Sequence, residues 1–289
     1  MFDLIIIAIV LIALIFAAIT DIKTKEVPDW LTYSLITIGL IIFIFRSIQE
    51  NSFMPILESL KGFAIFFAIG SAMYYSKQWG GGDAKLLMGM GAILNQYPEK
   101  LLNIFSPNLN IYFPFILFIN ILFFGAIYGL IISIALIIKN KKEFLKKFKI
   151  INRNSKKIRN ALIILTGIMI ISNMIISNPK QSEYLIYIVA IFPLVFFYLL
   201  ISMRTIEHIS MRKIIPVNKL VEGDWINEEI KINGKIIYSP KSLGVNKKQI
   251  ELIKKHKKTV QVREGIAFVP AFLIGTLISL IWGNLIFLS

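Results

Sequence analysis

Two aspartates stand where apolar stretches of the chain meet polar ones. Asp21 follows the run Leu4–Ile19 and Thr20, and Asp83 closes the tetrad Gly80-Gly81-Gly82-Asp83. A carboxylate at the edge of an apolar helix is costly to keep there, so such groups are functional candidates by default. Two carboxylates that meet cannot easily ionise together and share one proton. One then acts as general base on a water while the other, protonated, polarises a carbonyl. That is the chemistry of amide hydrolysis, and it calls for neither metal nor cofactor. The three glycines before Asp83 fit it, because they let an extended backbone approach and permit angles closed to other residues.

The elements that must position this pair are membrane helices. Of the 289 residues 56% are hydrophobic and the mean hydropathy is +0.71, too apolar for a soluble domain of this size. Apolar runs long enough to cross a bilayer of about 30 Å at about 1.5 Å per residue fall near 4–19, 31–45, 56–75, 113–138, 161–177, 184–203 and 265–288. An eighth, 84–95, is short, and Gly89 and Gly91 suit it to close packing. The first run is read as a span and not as a signal peptide, since only Asp3 precedes it where a basic region would stand.

Charge decides whether the short run counts. The net charge is +15, with 32 Lys and Arg. If all eight runs cross and the N-terminus lies outside, only Arg46, Lys61, Lys100 and Lys180 remain on the outer side. The other 28 gather in 20–30, 76–85, 139–160 and 204–264. That asymmetry follows the positive-inside rule, and dropping the short run would put both dense basic segments outside. The basic balance therefore reports topology and not a nucleic-acid partner. With no cysteine, disulfides and thiolate metal sites are excluded.

The expected fold is an all-α polytopic membrane protein of about eight spans (six to eight), with a small β-containing cytoplasmic subdomain between the last two. The divisions are a catalytic transmembrane core at 1–138, a basic loop with extra spans at 139–203, the subdomain at 204–264 and a final span at 265–289. Within the subdomain, Asn233-Gly234 between Ile230–Ile232 and Lys235–Ile237 reads as a hairpin turn, and Asn246–Lys258 reads as a short basic helix. Segment 139–160 has amphipathic character and is expected to lie on the anionic lipid of the inner leaflet.

An aspartate at a helix boundary is most often an N-cap, and Asp29, after Pro28 and before the span beginning at Leu31, suits that role. Lys85 is read either as favouring the ionised form of Asp83 or as snorkelling to the interface. His208 and His256 stand alone, without the spacing that a metal needs.

Asp21 through Pro28-Asp29, followed by Gly80-Gly81-Gly82-Asp83 with Ala84 and Lys85, resembles the two motifs of the type IV prepilin peptidases, membrane aspartic proteases of GxGD type. The resemblance covers the first four spans well and the last moderately, and it does not extend through 139–183. It implies that Asp21 and Asp83 are the catalytic pair and that Pro28, Asp29, Gly80, Gly81, Gly82 and Lys85 support them. It implies no cofactor and no metal. The substrate it implies is a prepilin- or preflagellin-like precursor with a basic leader, cut at the cytoplasmic membrane face. Lacking the paired Cys-x-x-Cys region of the bifunctional bacterial members, the chain looks more like the archaeal peptidases and is expected not to methylate its product. An acidic stretch, Glu222, Asp224, Glu228 and Glu229, is a candidate receptor for the leader. The alternatives are a presenilin-like intramembrane aspartyl protease and a cation or proton transporter. Asp21 follows Thr20 and not tyrosine, and Pro270-Ala271-Phe272-Leu273 only loosely echoes the presenilin Pro-Ala-Leu element. Neither midplane carboxylates nor repeated halves favour a transporter.

Overall fold

A computed structural model describes residues 2–176, 183–232 and 234–286, with side chains at all of these except 173–176 and 183–186. Each predicted span coincides with a helix: α1 (Phe2–Thr24), α2 (Asp29–Gln49), α3 (Met54–Tyr75), α4 (Gly81–Ile93), α5 (Phe113–Lys139), then, after a basic helix α6 (Lys141–Asn154), α7 (Lys156–Ile176) and α8 (Glu183–Ile206). Five of these, α1, α2, α3, α5 and the stretch Tyr187–Met211, are long and apolar enough to cross a membrane unaided. The chain is thus a polytopic membrane protein. Strands β1 (Arg212–Pro216), β2 (Trp225–Ile226), β3 (Ile230–Ile232) and β4 (Lys235–Tyr238) follow, then α9 (Lys247–His256), β5 (Thr259–Arg263) and the apolar α10 (Val269–Ile281).

The chain divides into two compact units. One is built from the segments up to Leu130, Ile215–Val260 and from Glu264 onward, the other from Ile131–Ile214 with Gln261–Arg263.

Helix α4 is the centre of the first unit. Thirteen residues rise only about 20 Å, short of a bilayer. Its exterior is protein: Ala84, Leu86, Leu87 and every residue from Gly89 to Ile93 are buried, packed against α2 and α3. Small residues make that possible. A side chain at Gly91 would run into the backbone of Gly62 on α3, and one at Gly62 into that of Gly91, so the two helices touch backbone to backbone. Ser59 on α3 donates to the carbonyl of Ala92 at 2.7 Å, a polar tie inside the apolar contact.

The subdomain takes its predicted local form. Strands β3 and β4 pair antiparallel, Ile232 opposite Lys235 and Ile230 opposite Tyr238, with a bulge between Ile230 and Lys231. Gly234 has φ +75°, the left-handed conformation that a tight turn requires. Its predicted partner in the turn, Asn233, lies outside the described residues. Asn246 and Gln249 form a reciprocal capping box at the start of α9, and Gln249 also donates to the carbonyl of Ile237, fixing the helix to the hairpin.

Candidate active site

Asp21 lies in the last turn of α1 and is 5% exposed. It does not cap the helix that follows it. Its Oδ2 accepts the backbone N–H of Val269, the first residue of α10, at 2.9 Å, across 248 positions of sequence. A helix N-terminus offers unpaired amides and the positive end of its dipole, so it suits a carboxylate. The start of α10 is held for this contact by aromatic packing. Phe268 and Phe272 lie 5.5 and 5.3 Å from the buried Trp79 ring, and Gly125 leaves room for the Phe268 ring. Trp79, Phe268 and Val269 were not singled out in the sequence. A tryptophan immediately before the glycines was the one available signal.

Asp83 is the third residue of α4 and half-buried. It takes the local capping contact, accepting from the Gly80 amide at 3.2 Å. It also stands close enough to Asp21 that the charge of one carboxylate acts directly on the other. Among the described residues neither aspartate is in a salt bridge, and Lys25 is the cation whose charge acts on Asp21. Two carboxylates carried at the end of α1 and the start of α4 therefore share one environment, with a backbone amide on one and a cap on the other.

One of the two roles expected of the glycines, unusual backbone angles, is not used. Gly80 has φ −68°, and none of the three takes a left-handed angle, so conformational freedom is not what they provide. Close approach is. A Cβ on Gly82 would lie 3.1 Å from the Val27 side chain and 3.3 Å from its backbone nitrogen. The loop after α1 thereby presses on the start of α4, which is what brings Asp83 to Asp21.

Asp29 is also placed otherwise than expected. Pro28 occupies the N-cap position of α2, with no side-chain cap, and Asp29 is the first helical residue. Its Oδ1 accepts from Lys85 Nζ at 2.6 Å, with Lys85 5.7 Å from the Tyr33 ring. Lys85 thus neither sits on Asp83 nor merely reaches for the interface. It joins the start of α2 to the start of α4, in a pair that remains open to solvent (60% and 37% exposed).

The subdomain reaches the same end of the unit. Lys77, three residues before Gly80, donates to the carbonyls of Lys241 at 2.5 Å and Pro240 at 3.3 Å. Glu26, in the loop after α1, faces Asp224. Burial pushes the Glu26 carboxyl up, and the charge of Asp224 adds to it. Burial also pushes Asp224 up, opposed by the Val221 amide that donates to it at 2.8 Å and aided by Glu264. The rest of the predicted acidic stretch is neutralised locally. Glu222 pairs with Lys247, Glu228 with Lys257 and Glu229 with Lys231.

The first unit thus holds two carboxylates near each other, one at the end of α1 and one at the start of α4. Residues 8–130 match the model of the type IV leader peptidase family. The chain is 32% identical over 164 residues to a preflagellin peptidase of Methanococcus voltae, covering 55% of this chain and 65% of the relative. It is 32% identical over 140 residues to a preflagellin peptidase of Methanocaldococcus jannaschii, covering 47% and 59%. A prepilin peptidase of Methanothermobacter thermautotrophicus aligns over 258 residues at 22% identity, 88% of this chain and 64% of that protein. The chain spans 59–65% of the length of these relatives.

Proposed function

We propose that the chain is a membrane aspartic endopeptidase that removes leader peptides from preflagellin- or prepilin-like precursors, with Asp21 and Asp83 as the catalytic pair. The observation that carries the reading is the nearness of these two carboxylates, in no salt bridge among the described residues, inside the segment that matches the leader peptidases. With one proton between them, the ionised aspartate takes a proton from water as the oxygen attacks the scissile carbonyl. The protonated one gives its proton to the carbonyl oxygen. The tetrahedral intermediate then collapses: the pair gives a proton to the leaving nitrogen and takes one from a hydroxyl of the intermediate as the C–N bond breaks. The net change is one water consumed, and the pair again holds one proton.

The site lies where α1 ends and α4 begins, at the end of the unit that also carries Lys77 and the subdomain. By the positive-inside rule this is the cytoplasmic face. A precursor whose polar leader meets an apolar helix presents its junction at that depth. Glu26 and Asp224 add negative charge beside the loop after α1, which suits a basic leader.

The test is cleavage of co-expressed preflagellin and prepilin precursors. Wild-type protein should shorten at least one of them, leaving an unmethylated new N-terminus by mass. Asp21→Ala, Asp83→Ala and Asp21→Asn should each leave the precursor intact while the protein remains folded in the membrane. Full processing by any of the three would overturn the assignment.

A further inference from the structure

Helix α6 follows α5 after the single residue Asn140, so its start is fixed to the end of a helix long and apolar enough to cross a membrane. One face of it is occupied. Phe144 is buried, Phe148 stacks on Tyr198 of α8 with ring centroids 6.5 Å apart, and Asn140 bonds Ser210 at 3.2 Å. At 100° per residue, Phe144, Phe148 and Ile151 form that face. Lys142, Lys146, Lys149 and Arg153 recur at i, i+4, i+7 and i+11 and form the opposite one, a single stripe about 16 Å long. All four are exposed, and among the described residues none has an ion-pair partner. Leu145 and Ile150, 47% and 42% exposed, flank the stripe on its two sides.

Four adjacent like charges repel one another, and a surface helix without partners gains nothing from aligning them. The alignment makes sense if an array of anions covers it. We propose that this stripe is a docking surface for anionic lipid headgroups of the leaflet at which α5 ends. Leu145 and Ile150 dip between the headgroups on either side of the cations. Charge selects the lipid: a row of phosphates at the membrane surface is opposite in sign and equal in depth to the row of ammonium and guanidinium groups. The anchored start of α6 and its seat on a spanning helix keep the stripe at that level, favouring lipid over a cytosolic polyanion.

The chain has no cysteine, so one probe can be placed cleanly. Full-length protein carrying an environment-sensitive dye at Leu145→Cys is reconstituted into nanodiscs of phosphatidylcholine with 30% phosphatidylglycerol. Quenching by doxyl-labelled phosphatidylglycerol is compared with that by doxyl-labelled phosphatidylcholine at equal mole fraction. The anionic quencher should be more effective by about three-fold or more. The ratio should fall to about one with K142Q/K146Q/K149Q/R153Q and persist when the three lysines are changed to arginine. A ratio of one in the parent protein, or a ratio unchanged by the quadruple substitution, would overturn the proposal. So would a dye indifferent to anionic lipid that responds to an added oligonucleotide or acidic polypeptide. Thermal unfolding of the quadruple variant, matched to the parent, separates lost lipid selectivity from lost structure.

Discussion

The two ends of the first unit hold their carboxylates differently. At one end Asp3 lies 4.0 Å from Arg46, which is also bonded to Glu50 at 2.7 Å. Nearby Glu58 holds Lys61 at 2.9 Å, and the Lys100 amide donates to Asp3. At the other, Asp29 pairs with Lys85, but Asp21 and Asp83 lie near each other bound to backbone amides and in no salt bridge, and Glu26 lies near Asp224. Paired charges on a half-exposed surface contribute little and do no chemistry. Carboxylates left to one another in a partly dry site are poised for proton transfer instead. Under the proposed function, the difference separates the end of the helices that does chemistry from the end that closes them.

The comparison is broken most severely by removing the facing carboxylates. Asp21→Ala or Asp83→Ala should lower leader cleavage by about 10²–10⁴-fold or more, and the double variant should be no worse than either single one, since the two act as a unit. Asp3→Ala at the opposite end should leave the same assay nearly unchanged. Next is the contact that unites the pair. Gly82→Ala drives a methyl into Val27, so it should cost about 1–3 kcal/mol of packing strain and reduce kcat more than it raises KM. Val27→Ala in the same chain should restore much of the rate, and failure of that rescue would remove the close-approach role of Gly82.

The pH dependence sharpens the same point. A pair that works with one proton should give a bell-shaped kcat/KM profile in which both limbs belong to the pair. Asp3→Ala should not shift either limb. The Asp29–Lys85 pair is exposed, so Asp29→Ala or Lys85→Ala should destabilise by only about 0–1 kcal/mol in thermal unfolding. A charge-swapped double variant should recover whatever either loses. The smallest effect is on leader attraction. Because burial raises Glu26 and Asp224, their charges are present above those raised values and are lost as pH falls through them. KM for a basic leader should rise on mild acidification, and Glu26→Gln with Asp224→Asn should flatten that rise. Reversing Glu222, Glu228 or Glu229, already held by lysines, should matter less.

Much of this was legible before the fold was known. Apolar run lengths and lysine placement located the helices, including the short α4, because membrane insertion acts on local hydropathy and on flanking charge. The hairpin and the cap of α9 were legible for a similar reason, since both are set within a few residues. The roles of Asp29 and Lys85 were not. An aspartate after proline looks the same in sequence whether it caps its own helix or reaches a lysine fifty-six positions away. The glycines misled too, because an open angle and a tight neighbour leave the same residue behind.

What the sequence alone determined was the inventory: membrane helices and two aspartates at helix ends in a recognisable pattern. Hydropathy and motif spacing are local quantities, so a linear reading can carry them. The tertiary structure decided which groups share an environment. It set the N-terminus of α10 on Asp21, Val27 on Gly82 and Asp224 beside Glu26. Each of those contacts depends on helices meeting across the unit, and such meetings follow from three-dimensional packing that no residue's neighbours in the chain record.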